Sequence, residues 1–187
     1  ALAVWHILQS NRMPLALETL FPFLALLWLM ISLVPVFVID FRYHLLPDTI
    51  SIGGIIFGVA ISFIPGDITP LQSILGALIA GGGLYLFAKL IAKILGKQAM
   101  GLGDVKLLAG YGALMGAPLA FETLILASFI GICIVFPARL VYAKAFGTES
   151  ETTAGEFPFG PFLALAAPIV FIYGNWILGL YLAMFEV

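Results

Sequence analysis

Charged residues and cysteine are both scarce in this sequence. Its 187 residues include 8 lysines and arginines, 10 aspartates and glutamates, and one cysteine, Cys133. A lone cysteine excludes a disulfide or a cysteine-based zinc site formed within these residues. The few basic residues form no patch interleaved with aromatic residues, so nucleic acid is not an expected partner.

Apolar residues, in contrast, are abundant. They make up 63% of the chain, and charged residues make up only 10%, whereas soluble domains carry about 25% charged residues. The mean hydropathy is +1.16. One globular core cannot bury this much apolar surface, so the sequence predicts an all-α, polytopic integral membrane helical bundle in contact with membrane lipid. No repeat or composition change divides residues 1–187, which are expected to form a single domain.

Several apolar segments approach the length of about 20 residues that spans a bilayer. The predicted spans are 19–40, 49–65, 71–95, 104–117, 119–138 and a final pair, 159–172 and 175–187. Residues 1–9 are expected to be the end of a further helix. The sequence therefore predicts about six to seven spans plus a partial N-terminal helix.

The distribution of basic residues predicts the orientation of these spans. Three connections, 41–48, 93–103 and 139–158, contain most of the basic residues, and the alternate connections contain only Arg12. The basic residues of the three connections are Arg42, Lys93, Lys97, Arg139 and Lys144, with Lys89 and Lys106 in adjacent helix ends. Cytoplasmic loops are enriched in lysine and arginine, so the three connections are predicted to be cytoplasmic.

Two acidic residues lie at span ends on that same predicted face. Asp40 ends the first long span, and Asp104 begins another directly after Gly101 and Gly103. Their separation, 104 − 40 = 64 residues, accommodates a helix out, a turn, a helix back and a short loop. Acidic residues in a membrane are costly and are functional by default. The topology therefore permits the two carboxyl groups to lie at a similar depth.

Two carboxyl groups a few ångströms apart would share a proton, because both cannot ionise comfortably. One could then activate a water as general base while the other acts as general acid toward a substrate carbonyl and leaving amine. This arrangement hydrolyses peptide bonds without a metal. Gly101 and Gly103 would allow close backbone approach to an extended substrate and unusual backbone angles. The alternative is a small transporter or proton channel that uses the same acids as relays.

Three motifs occur in order and are more specific than a glycine pair before an acid. They are IDFRYHLLPD (39–48), GLGDVKLLAGYGALMG (101–116) and FPFGPFLALAA (157–167). Together they resemble the bacterial type IV prepilin peptidases, a branch of the GxGD intramembrane aspartyl proteases. The resemblance covers most of residues 30–170. Preflagellin peptidases and signal-peptide-peptidase relatives are the alternatives within the proteases, and the FPFGP motif with the 64-residue spacing favours the bacterial branch.

The resemblance implies a function and a catalytic pair. Such peptidases cleave the basic leader from type IV prepilins and type II secretion pseudopilins at the cytoplasmic face of the inner membrane. The positions that correspond to their catalytic acids are Asp40 and Asp104. Proteolysis by this pair implies neither a cofactor nor a metal.

One departure from the family pattern concerns a second activity. Full-length members usually carry a cytoplasmic segment between their first and second spans, often with two pairs of cysteines. They commonly also methylate the new N-terminus with S-adenosylmethionine. No such segment precedes the spans of this sequence, so S-adenosylmethionine and N-methyltransferase activity are expected only of a full-length parent protein.

Five further residues are predicted to shape the site or bind substrate. Asp48 is a rival first acid, but its position after Pro47 favours a helix N-cap. Lys106 could set the charge of the site or contact the substrate backbone, or it could simply extend toward the interface. Pro158, Gly160 and Pro161 form an interrupted helix start that either lines the substrate or only punctuates the chain.

Overall fold

The computed structural model describes residues 17–43, 45–96, 100–146 and 159–185, and these residues form helices joined by short connections. The helices are α1 (Leu17–Tyr43), α2 (Asp48–Ile61), α3 (Pro70–Leu95), α4 (Leu102–Phe146) and α5 (Gly160–Phe185). The described residues contain no β-strand. The predicted all-α class is confirmed.

The helices have the length and surface of membrane spans. By length and composition three apolar stretches could cross a bilayer, namely Thr19–Tyr43, Pro70–Leu95 and Leu102–Val135, the last of which is divided at Gly116. Two shorter apolar helices, Asp48–Ile61 and Gly160–Gly174, accompany them. Large apolar side chains such as Phe23 lie exposed on the outside of the bundle, as lipid-facing residues do. The membrane character is confirmed, and the exact number of spans stays a prediction.

Helix α3 shows how local sequence fixes the helix ends. Thr69 is its N-cap and forms a capping box with Gln72, and Pro70 occupies the first turn. Thr69 and Gln72 satisfy backbone N–H groups at the helix start, and Pro70 has no N–H that would need a partner. The helix ends at Gly96, whose φ of 66° is left-handed and favours glycine. The connections predicted at 65–70 and 96–103 therefore flank α3.

Helix α4 is divided by Gly116, which has φ 83° and ψ 163°. The division leaves a first arm (102–115) and a second arm (117–146). A methyl group added at Gly131 in the second arm would lie 3.6 Å from the Phe162 ring at the start of α5. One added at Gly174, farther along α5, would meet Leu119 at 2.6 Å. The second arm and α5 are therefore antiparallel.

The two arms of α4 also run in opposite directions. In one straight helix Gly131 would lie about 40 Å from Gly103, because the rise is about 1.5 Å per residue. Instead, the side chain of Leu46 packs against both Gly103 and Gly160, and Gly131 packs near Phe162, two residues beyond Gly160. The second arm thus returns to the end of the bundle where the first begins. Gly116 supplies the break predicted between segments 104–117 and 119–138.

The first arm of α4 packs against α2 and α3 through small residues. A methyl group added at Gly58 of α2 would lie 2.8 Å from Cβ of Ala113. Gly76 of α3 approaches Gly112 so closely that neither accommodates a Cβ. The Ser73 hydroxyl of α3 donates to the Ala113 carbonyl at 2.7 Å. Small residues permit this close helix packing in a membrane, and it holds the first arm in place.

The prediction of two final segments, 159–172 and 175–187, is wrong. The structure has one continuous helix, Gly160–Phe185, through the predicted break. Gly174 lies inside that helix and packs against Leu119 and Glu122. Glycine is common in membrane helices because it permits close packing, so its presence does not by itself end a helix.

Candidate active site

Asp40 and Asp104 are both buried at one end of the bundle. Asp40 lies near the end of α1 and is 5% exposed, and Asp104 lies in the first turn of α4 and is 8% exposed. Their carboxyl groups are close enough to interact electrostatically. The structure therefore brings together the two acids that the sequence paired.

The start of α5 packs directly against Asp40. A methyl group added at Gly160 would lie 2.6 Å from Oδ2 of Asp40 and 3.3 Å from its Cγ. Carbon and oxygen do not approach this closely without strain, so any larger residue at 160 would displace the carboxyl group or the helix. Gly160 of the FPFGP motif thus shapes the surroundings of Asp40.

Two prolines of that motif, Pro158 and Pro161, flank Gly160 in the sequence. Pro161 is buried in the first turn of α5, where a missing N–H costs no helical hydrogen bond. Pro158 lies outside the described residues. A substrate-lining role for this segment stays a prediction.

The two glycines before Asp104 have different surroundings. A methyl group at Gly103 would lie 2.8 Å from Cβ of Leu46, whereas one at Gly101 would meet nothing closer than Oδ2 of Asp104 at 3.8 Å. Among the described glycines, only Gly96 and Gly116 have positive φ. Gly103 is therefore required for close packing, and the unusual backbone angles expected at this pair are not seen. Their approach to a substrate stays a prediction.

Leu46 is the site residue that sequence reasoning missed. It lies in the connection between α1 and α2 and packs against the core. Its Cδ2 would be 3.1 Å from a methyl group at Gly160, in addition to its contact with Gly103. One leucine thus lies between the helix start that carries Asp104 and the one that packs on Asp40. The only sequence signal was its place inside the IDFRYHLLPD motif.

Asp48 and Lys106 form an ion pair beside the two acids. Lys106 Nζ donates to Asp48 Oδ1 at 2.6 Å, and the side chains are 40% and 63% exposed. The predicted N-cap role of Asp48 is wrong: Pro47 is the N-cap residue, Asp48 begins the helix, and no side chain caps it. The fixed φ of Pro47 suits this position, and Asp48 turns outward to Lys106. Exposed pairs contribute about 0–1 kcal/mol, so its energetic effect on folding is small.

One further acidic residue with buried carboxyl oxygens lies apart from this site. Glu122 lies in the second arm beside Gly174, six residues beyond the turn at Gly116, near the opposite end of the bundle. Its oxygens are buried and have no hydrogen-bond partner among the described residues. Within the described part of the chain, no three His, Cys, Asp or Glu side chains come together as a set of metal ligands.

Comparison with known proteins identifies relatives of this chain. The model of the type IV leader peptidase family matches residues 24–136. A prepilin leader peptidase/N-methyltransferase of Legionella pneumophila is 34% identical over 185 residues, covering 95% of this chain and 57% of the relative. The protein of the same description from Pseudomonas putida is 36% identical over 153 residues, 81% of this chain and 50% of the relative.

These matches define what is shared. The chain spans about half the length of the curated relatives that it matches. A comparison with solved structures finds no significant match. The matched region begins within α1, ends in the second arm of α4 and includes both buried acids and Leu46. On these grounds the chain belongs to the type IV leader peptidase family.

Proposed function

We propose that this chain is a membrane-embedded aspartyl endopeptidase that removes the basic leader peptide of type IV prepilins or pseudopilins. One observation carries the proposal: Asp40 and Asp104, from helices distant in sequence, are buried together at one end of an apolar bundle. Burying two acids in an apolar bundle costs free energy, and acids inside a membrane are therefore functional candidates by default. The family membership supports the peptidase assignment, and the names of the relatives, prepilin leader peptidases, support prepilins as substrates.

The proposed reaction uses one proton shared by the pair. The deprotonated carboxylate accepts a proton from a water whose oxygen attacks the scissile carbonyl carbon. The protonated partner first donates a hydrogen bond to the carbonyl oxygen and then transfers its proton to the leaving nitrogen as the C–N bond breaks. The first carboxyl group keeps the proton taken from water and its partner is left ionised, so the pair again shares one proton. The second proton of the water stays on the new carboxyl product until it dissociates to solvent. No cofactor enters this sequence of steps.

The position of the pair suits a substrate whose cleavage site lies at a membrane surface. Asp40 is three residues from the end of α1, and Asp104 is the third residue of α4. The exposed Asp48–Lys106 ion pair lies at this end. A substrate helix in the lipid could therefore present its leader peptide at the end of the bundle without crossing the bundle. We place this end at the cytoplasmic face of the bacterial inner membrane, because the adjoining connections contain most of the basic residues.

The test is cleavage of a purified type IV prepilin in lipid vesicles. Wild type is compared with Asp40→Asn and Asp104→Asn, which keep the size of the side chain and remove its acid–base chemistry. Each substitution is expected to lower kcat by about 10²-fold or more, because general acid–base catalysis contributes at least that much. Thermal unfolding in detergent checks that each variant is folded.

The transporter alternative makes the opposite prediction. It requires proton or cation flux through wild-type vesicles, abolished by the same substitutions, with no prepilin cleavage. Near-normal cleavage by either folded Asn variant would show that the assigned pair is wrong. Failure of wild type to cleave would refute peptidase activity for this chain.

A further inference from the structure

Leu46 occupies the space between the two helix starts that define the proposed pair. Its Cβ and Cδ1 pack against Gly103, at 2.8 and 3.0 Å from a methyl group built there, and its Cδ2 packs against Gly160. Gly103 directly precedes Asp104, and Gly160 packs on Asp40. The side chain of Leu46 therefore contacts Gly103, the residue before Asp104, and Gly160, which packs against Asp40.

The connection that holds Leu46 is restrained on its α2 side. Helix α1 ends at Tyr43 and α2 begins at Asp48, so only a short segment joins them. Pro47 has φ −63° and ψ 126°, and a residue that precedes proline is itself restricted to extended conformations. The Ser51 hydroxyl donates to the Pro47 carbonyl at 3.0 Å. The backbone next to Leu46 is therefore restrained by the start of α2.

The Asp48–Lys106 pair links the first residue of α2, directly after this connection, to α4 near Asp104. Asp48 lies two residues after Leu46, and Lys106 lies two residues after Asp104. Leu46 packs against Gly103 of α4, and the exposed side chain of Asp48 pairs with Lys106 of the same helix. The connection therefore contacts α4 and α5 through Leu46, and the adjoining start of α2 contacts α4 through Asp48.

We infer that Leu46 is a positioning residue that sets the spacing of the α4 and α5 starts and thereby the separation of Asp104 and Asp40. The inference rests on the proposed function, because the spacing matters for the reaction only if this pair is catalytic. Truncation to alanine leaves a void that the helix starts can fill by shifting. A shift of about 1 Å in catalytic groups can lower rates by about 10²-fold.

The experiment compares Leu46→Ala, Leu46→Met and Leu45→Ala in vesicles with purified prepilin. Leu46→Ala is expected to lower kcat about tenfold or more with little change in KM, since it alters geometry and leaves substrate binding in place. Leu46→Met, which conserves the side-chain volume, is expected to retain most of the wild-type kcat. Leu45→Ala is the matched control, because its side chain is 69% exposed.

A distance measurement separates this inference from the proposed function. Spin labels at Leu102→Cys and Ile169→Cys, both exposed positions on α4 and α5, are placed in a Cys133→Ser background. Leu46→Ala is expected to shift or broaden the label distance, and Leu45→Ala and Leu46→Met are expected to leave it unchanged. This readout does not depend on cleavage.

The outcomes are distinct. If Leu46→Ala leaves both kcat and the label distance unchanged, the positioning role is overturned. It is also overturned if Leu46→Met loses as much activity as Leu46→Ala at equal thermal stability. If the label distance responds but Asp40→Asn and Asp104→Asn still cleave, the positioning of the helices stands and the proposed pair fails.

Discussion

Gly160 leaves no room for even one methyl group beside Asp40. An added Cβ would lie 2.6 Å from Oδ2 of Asp40 and 3.1 Å from Leu46, so one of these groups must move. We expect Gly160→Ala to lower kcat for prepilin cleavage about tenfold or more, because displaced catalytic groups react slowly. Alanine is a better helix former than glycine, so the loss is not expected to come from unfolding of α5.

Gly131→Ala is the matched control for this substitution. It adds the same methyl group near the same end of α5, but at an ordinary contact distance of 3.6 Å from Phe162. Kinetics and thermal unfolding of both variants should show an activity loss confined to Gly160→Ala. Wild-type kcat in Gly160→Ala would mean that Asp40 has room to move, and the close packing would have no catalytic role.

The acids could be predicted from the sequence, but their neighbours could not. Asp40 and Asp104 stood out because a carboxylate in an apolar chain has a physical cost. Leu46 is one leucine among many, and its contact with Gly103 and Gly160 depends on how three distant segments pack. No local pattern contains that information.

The packing of α3 against the first arm of α4 depends on a close contact between two glycines. Gly76 and Gly112 each lie against the backbone of the other, and an alanine at 112 would also meet Cβ of Ala80 at 2.9 Å. We expect Gly112→Ala to lower the free energy of unfolding in mixed micelles by about 1–3 kcal/mol, because overpacking forces backbone shifts. Prepilin cleavage should fall with it, since the first arm carries Asp104.

Gly82→Ala in α3 provides the control, because a methyl group there meets nothing within 4 Å. It should leave the unfolding free energy unchanged or raise it slightly, since alanine favours helix formation. Equal effects of the two substitutions would indicate that α3 and α4 can separate without cost, contrary to the close packing described.

Glycine interrupts a helix at position 116 but lies within a continuous helix at position 174. This difference made the number of spans difficult to predict from the sequence. Gly116 has φ 83° and is followed by Pro118, and the chain reverses there. Gly174 continues a helix and packs against Leu119 and Glu122. The break at Gly116 was predictable because a nearby proline favours a helix end. The continuity at Gly174 was not, because it depends on tertiary contacts.

The two acids and the α2–α3 connection lie at opposite ends of the bundle. The end that holds Asp40 and Asp104 also holds the α1–α2 connection and the starts of α4 and α5. The α2–α3 connection lies beyond the far end of α2, which is 14 residues long and thus about 21 Å in length. Charge distribution predicts that the first end is cytoplasmic, and this prediction can be tested separately from catalysis.

Single cysteines report the orientation directly. In a Cys133→Ser background, Leu45→Cys marks the end with the two acids, and Asp67→Cys marks the exposed α2–α3 connection. A membrane-impermeant maleimide added to intact spheroplasts is expected to label Asp67→Cys alone, because the positive-inside rule places Leu45 in the cytoplasm. Permeabilised membranes, in which both variants should react, control for the reactivity of each thiol. Labelling of Leu45→Cys from outside would reverse the topology and would place the two acids on the wrong side for a cytoplasmic leader peptide.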